Sequence, residues 1–253
     1  MPNPENIRPF FPDSFFIWEP RDMIGGDFIF AEGLPQTGEK EEEGCVLAII
    51  DCTRRGVPDT FISLIASFGL KKIIRSEGWR DPALILNRLT FWIRTALQQD
   101  SGDMFSDDGL NVAICFVSGQ GADHDRDGQQ TILTFAGARL PLYCAYNGEI
   151  TVIRGDRQSI GYKLSDLNSK FTNHRIPVKE GMSFYMATNG LADQLGGEEH
   201  CRFDNRRLKN LLKEIADIPF EKQQAMLLES FNAYKGENET RDDVTMVGFR
   251  IPV

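Results

Sequence analysis

The chain has 253 residues, 41% hydrophobic and 26% charged, which is the balance of a globular protein with a sizeable core. Acids outnumber bases 37 to 28, and the net charge of −9 argues against a protein that coats nucleic-acid duplexes. The longest apolar stretch, Phe61 to Leu70, falls far short of the roughly 20 residues that span a bilayer, and the polar, proline-rich start is no secretory signal. The five cysteines (Cys45, Cys52, Cys115, Cys144, Cys201) are odd in number and include no C-x-x-C. They suit reduced thiols in a cytoplasmic protein better than a disulfide framework or a zinc knuckle. No H-E-x-x-H is present, which excludes a zincin.

In chain order, the prolines of residues 1–20 predict an extended entry segment. Phe28 to Ala31 reads as a strand, and the run around Lys40 as a charged loop tip. Cys45 to Ile50 is continuously apolar, hence a buried strand. Pro58 suits a first helical turn, and Phe61, Leu64, Ile65 and Phe68 follow at helical spacing as a core stripe. Asp81-Pro82 caps a second helix, whose face carries Ile85, Leu89, Trp92, Ile93 and Ala96. The period then changes to that of strands: Val112–Val117, Thr131–Ala136, Leu140–Tyr146, Glu149–Ile153 and Phe184–Thr188. Asn147-Gly148 marks a hairpin. Two amphipathic helices follow at about 204–216 and 221–234, and Val244 to Ile251 closes the chain as a strand. Hairpins among interspersed helices favour an α+β layered architecture over a doubly wound parallel sheet.

Asp123-x-Asp125-x-Asp127-Gly128 resembles half of a calcium loop, but its twelfth position is Thr134, so a polar hairpin loop is the better reading. Signatures of serine hydrolases and P-loops are absent. What remains is a set of acids at the ends of apolar strands: Asp27 after Gly25-Gly26, Asp51 after Ile50, Asp193 one helical turn beyond Asn189-Gly190, and Asp242-Asp243 before the last strand. Each alone reads as a turn or a cap. Acids that converge repel one another, so the whole set points to a hard divalent cation.

Six segments occur in the order of one family: Pro20 to Phe28, Asp51 to Pro58, Phe135 to Ala138, Gly155 to Gly161, Thr188 to Gln194, and Arg241 to Thr245. Together they resemble the protein phosphatase 2C superfamily in its bacterial SpoIIE/RsbU-type branch, and P-R-D-x-x-G-G-D-F and G-D-R-Q-S-I-G are especially similar to SiaA-type phosphatases. The resemblance implies two antiparallel sheets in a β-sandwich flanked by helices, formed by residues 1–253 as a single phosphatase domain with 1–14 as its entry segment. It implies hydrolysis of phosphoserine or phosphothreonine with two Mg²⁺ or Mn²⁺ ions. By family match, Asp51 bridges both ions, the Cys52 carbonyl binds one, Asn189 and Asp242 complete the other, Asp27 holds the first directly or through water, and Asp193 helps hold a third, weaker ion. Asp243 is the lesser ligand of its pair.

Two departures stand out. Arg54-Arg55-Gly56 replaces the usual Gly-His-Gly, and Thr188-Asn189-Gly190 replaces Ser/Thr-Asp-Gly, exchanging a carboxylate for an amide. Arg54 and Arg55 are candidate substrate contacts, with exposed loop charges as the plain alternative. The expected function is a metal-dependent protein serine/threonine phosphatase acting on a STAS-like regulatory partner in partner switching, with aggregation and biofilm control as the SiaA-type role. Branch members often carry sensor or membrane regions, so the sequence also fits the cytoplasmic, C-terminal fragment of a membrane-anchored sensor protein, and a homodimer is compatible with it. The alternative is a degenerate phosphatase that binds phosphoproteins without turnover, favoured by Asn189. A metal-dependent nuclease or phosphodiesterase is disfavoured by the net charge and the absence of a basic stripe.

Overall fold

A computed structural model describes residues 10–23, 25–35, 43–52, 57–97, 109–118, 131–161 and 170–253. The charged loop tip around Lys40, the Asp123–Gly128 loop, and Arg54 and Arg55 lie outside the described residues.

The first sheet contains β1 (Ser14–Glu19), β6 (Leu142–Tyr146), β7 (Glu149–Ile153), β9 (Ser183–Ala187) and β12 (Val244–Phe249), in the order β1-β12-β9-β6-β7. The second contains β2 (Phe28–Leu34), β3 (Gly44–Cys52), β4 (Leu110–Ser118), β5 (Ile132–Ala138) and β8 (His174–Pro177), in the order β2-β3-β4-β5-β8. Every pairing is antiparallel. Helices α1 (Val57–Lys71) and α2 (Pro82–Ala96) cover the second sheet; α4 (Asp204–Ile215) and α5 (Phe220–Lys235) cover the first. The one-turn helix α3 (Asn189–Asp193) and a two-residue hairpin, β10 (Leu195–Gly196) with β11 (Cys201–Arg202), follow β9.

This layering explains why the central strands are apolar without alternation. Along β3, Val46, Ala48 and Ile50 pack toward α1 and α2, while Cys45, Leu47 and Ile49 pack between the sheets. In β9, Phe184 and Met186 face the inter-sheet core and Tyr185 and Ala187 face α4 and α5. A strand buried on both faces has no polar side to show. The hairpin signal is realised with Asn147 at φ 50° and Gly148 at φ 72°, the left-handed pair of a type I′ turn. The Asp81 carboxylate accepts from Leu84 N at 2.8 Å, capping α2 as expected.

Four readings need correction. Three of the four residues in the predicted stripe on α1 face outward: Phe61, Leu64 and Phe68 are 63%, 52% and 61% exposed, while Ile65 packs partly buried against the core and Ile62, Ala66 and Leu70 are buried. The helix is apolar on both sides, so spacing alone could not choose the face. The extended entry contains β1, which pairs with β12 along its whole length. The strand expected from Leu140 begins at Leu142, because Arg139 takes a left-handed backbone at φ 63° and breaks the run. Strand β8, with two exposed residues in four, carried no apolar pattern to find.

Among the described residues no helix is long and apolar enough to cross a membrane. The entry segment is anchored by Phe11, fully buried against Phe249 with ring centroids 4.8 Å apart. Phe11→Ala should therefore cost about 3–5 kcal/mol, read as a lower urea midpoint; an unchanged midpoint would detach this segment from the core.

Candidate functional site

The strand-end acids meet at one end of the sandwich. Register places the first row: Phe28 pairs with Ile50, so Asp27 stands one step beyond, across from Asp51, and Asp51 pairs with Asn111 of β4. The opposing sheet contributes its own ends, Thr188 and Asn189 after β9, and Asp242 and Asp243 before β12.

Asp243 joins the two halves. One carboxylate oxygen accepts from Gly26 N at 2.6 Å and Asp27 N at 3.0 Å, and the other from Arg21 N at 2.8 Å. It is thus committed to the main chain of the segment leading into β2. Gly190 lies against the Asp243 main chain so closely that a Cβ there would stand 1.9 Å from the Asp243 carbonyl oxygen. Only glycine allows that approach.

Asp27 and Asp51 are 5% and 4% exposed. Asp27 is pinned from three directions: Thr188 Oγ1 donates to its Oδ2 at 2.7 Å, Asp243 accepts its N–H, and its carbonyl accepts from Trp18 Nε1 at 2.9 Å. Burial, then the charge of Asp51, push the Asp27 carboxyl well above the ordinary carboxylate range, and Asp243 adds to the rise against the Thr188 hydrogen bond. Asp51 accepts from Asn111 Nδ2 at 3.1 Å. Burial pushes its carboxyl up to about 7; Asn111 pulls it down, and Asp242, Asp243 and Asp193 push it further up. The charges acting most strongly on both acids are of like sign.

The remaining candidates surround this pair. Cys52 ends β3, buried, with its thiol 2.9 Å from Ser63 Oγ. Asp242 Oδ1 accepts from Asp243 N at 3.1 Å. Asn189 is exposed and its Nδ2 donates to Asp193 Oδ2 at 3.4 Å. Asp193 also pairs with the Arg202 guanidinium at 3.0 Å, an exposed ion pair that leaves its charge still acting on Asp51. Among the described residues no three His, Cys, Asp or Glu side chains stand close enough to hold an ion by themselves. The donors that do gather are hard oxygens, and among the described residues the two buried acids have no basic partner to neutralise them. That chemistry suits Mg²⁺ or Mn²⁺, which keep several waters and take only one or two carboxylates each.

Sequence reasoning missed the supporting residues. Ser159 Oγ donates to Asn111 Oδ1 at 2.9 Å, and Asn111 in turn holds Asp51. Ser159 lies within a family-like segment, but nothing in the sequence links it to β4. Gln194 is buried and ties α3 to the loop before Asp242: its Nε2 donates to Glu239 O at 3.0 Å and its Oε1 accepts from Arg241 N at 3.1 Å.

Two antiparallel sheets between helical layers, with acids gathered at one end, make the architecture of the PP2C-type phosphatase domain. The chain belongs to the Stage II sporulation protein E (SpoIIE) family, whose model matches residues 41–252. Its structure is similar to the SiaA PP2C domain of Pseudomonas aeruginosa, with 28% identity, a TM-score of 0.77, and coverage of 94% of this chain and 86% of that one. It is also similar to the phosphatase domain and regulatory fragment of SpoIIE from Bacillus subtilis, with 16% identity, a TM-score of 0.68 and coverage of 94% and 62%. The RsbU and RsbW domains of a Mycobacterium tuberculosis protein match with 16% identity, a TM-score of 0.67 and coverage of 97% and 62%. No curated protein sequence matches the chain.

Removing the Asp243 carboxylate strands three main-chain donors. Asp243→Ala should cost about 3 kcal/mol or more in urea unfolding, since each unmatched buried donor costs about 1–3 kcal/mol; a loss below that would mean water replaces the carboxylate. Asp51 sets a pH dependence. Its folded value lies near 7 against an ordinary 3.8, so across that window the native state binds more protons than the unfolded state and loses stability as pH rises. In chelator, wild type should lose stability relative to Asp51→Asn between pH 4 and about 7. Parallel stability curves would remove the assigned shift.

Proposed function

We propose that the chain is a metal-dependent phosphatase for phosphoserine or phosphothreonine on a small regulatory protein of the STAS-like, partner-switching kind. The observation carrying the reading is the pair Asp27 and Asp51, buried side by side among like charges at the end of a PP2C-type sandwich. Family membership supports the phosphatase class, and the RsbU and RsbW domains of one relative support a regulatory protein as partner.

In this reading Asp27, Asp51 and the Cys52 carbonyl would hold one Mg²⁺ or Mn²⁺ ion, and Asp51, Asn189 and Asp242 would hold a second. A third ion at Asp193 has to displace the Arg202 guanidinium. Ions bound there would supply positive charge against the phosphate dianion and acidify a water molecule. The protein's own part is positional. Thr188 and Asn111 fix the carboxylates of Asp27 and Asp51, Asp243 fixes the main chain beneath them, and Gly190 lets the start of α3 pack against the main chain of Asp243 itself. No side-chain nucleophile is required, which accords with the missing serine hydrolase signature.

Asn189 keeps an oxygen toward the second ion but gives up a negative charge. Even changes to residues around metal ligands cost about 10–100-fold in affinity or activity. Asn189→Asp should accordingly tighten Mn²⁺ binding at least about tenfold by calorimetry and raise turnover of p-nitrophenyl phosphate alongside. Chelator should abolish that turnover in both forms, and Mn²⁺ should restore it. Activity persisting in excess chelator sinks the mechanism; unchanged Mn²⁺ affinity in Asn189→Asp removes Asn189 from the ligand set.

A further inference from the structure

A cavity of about 910 Å³ opens directly beside the strand-end acids, running from Thr188, Asn189 and Asp193 to the start of α4. Its rim is basic: Arg139, Arg154, Arg157, Arg206 and Lys209 line it, all exposed, in a chain whose net charge is −9. We infer that this pocket docks acidic residues flanking the phosphorylated side chain of a protein substrate. The inference rests on the phosphatase reading and names its specificity.

Three observations carry it. First, the cations are unspent. Among the described residues none of these four arginines forms an ion pair; Arg206 shares the field of Asp204, which the Arg206 and Arg207 N–H groups already engage, and Lys209 that of Glu149, which Lys213 already holds at 2.7 Å. The acids on the same wall are engaged: Asp156 accepts from Thr172 N at 2.7 Å and Oγ1 at 3.1 Å, and Asp193 pairs with Arg202.

Second, the rim is built. Gly155 packs onto Gly137 so tightly that a Cβ would stand 2.7 Å from the Gly137 oxygen, which seats the loop bearing Arg154 and Arg157. Arg139 carries the left-handed backbone that ends the β5 run, and its N–H donates to Asp156 O at 2.8 Å. Opposite, Asp204 caps α4 through Arg206 N at 2.7 Å and Arg207 N at 2.9 Å, which starts the helix whose first turns bear Arg206 and Lys209.

Third, the floor suits a peptide better than a nucleic acid. Leu140, Pro141, Val152 and Leu208 line it. Tyr143 is buried, with its hydroxyl donating to Asn205 at 3.3 Å, and offers no open face for the base stacking on which single-strand binders rely.

The test is fluorescence anisotropy of labelled phosphoserine peptides flanked by Glu, Gln or Lys. Wild type should bind the Glu-flanked peptide about tenfold more tightly than the Gln-flanked one at roughly 50 mM salt, with the gap closing near 0.5 M, as expected for several exposed pairs. Arg206→Glu/Lys209→Glu should reverse the preference toward Lys. Arg139→Glu/Arg157→Glu, on the facing wall, should do the same, which guards against one variant misfolding. Equal binding of all three peptides by wild type overturns the proposal, as does equally tight binding of a single-stranded oligonucleotide of matched charge. Turnover of p-nitrophenyl phosphate by wild type in Mn²⁺ is read separately. Turnover without the flank preference overturns the pocket alone; flank preference without turnover overturns the phosphatase reading alone.

Discussion

The carboxylate of Asp243 is the hinge pin of the acidic end. It comes from the first sheet and accepts three main-chain N–H groups from the segment that enters the second. Hydrogen bonds to a charged acceptor in a partly buried place are among the strong ones. Every other placement follows. Asp27 sits where it does because its own N–H is one of the three, and Gly25 and Gly190 are small because Asp243 fills the space a side chain would need. The acid whose charge is satisfied by the backbone orders the acids whose charges are not.

That division costs stability. Asp27 and Asp51 are each removed from water and set beside like charge, and two single hydrogen bonds, from Thr188 and Asn111, do not offset the desolvation. The fold tolerates this because three apolar clusters lie beneath it: one between the sheets and one under each helical pair. The acidic corner is small, sits at strand ends, and borrows rigidity from strands that are apolar on both faces.

The sequence was legible where physics is local. The central strands, the α2 cap, the type I′ turn and the acids at strand ends all declare themselves within a few residues. The α1 face did not, because Phe61 and Phe68 on one side and Ile62 and Leu70 on the other satisfy the same spacing, and only the sheet beneath decides. Strand β1 hid behind its prolines, since its partner lies more than 200 residues away. At the site the acids were visible, but the residues that hold them were not: Asn111, Ser159 and Gln194 act across the fold, and single polar residues in apolar strands or loops carry no periodic signal. The pocket's basic rim was invisible for the same reason, being assembled from three separate stretches of chain.

Asp193 differs from its neighbours in one respect that reaches beyond geometry. Its counter-charge, Arg202, is part of the same polypeptide, held on the short hairpin that follows α3. A tethered cation cannot be diluted, chelated or outrun by a falling supply of free metal. The pairing at that corner is therefore set by the chain itself, whereas among the described residues Asp27 and Asp51 meet only like charges and neutral hydrogen-bond donors. One end of the sandwich thus holds an acid whose counter-charge is supplied in cis beside two acids that, among the described residues, have none.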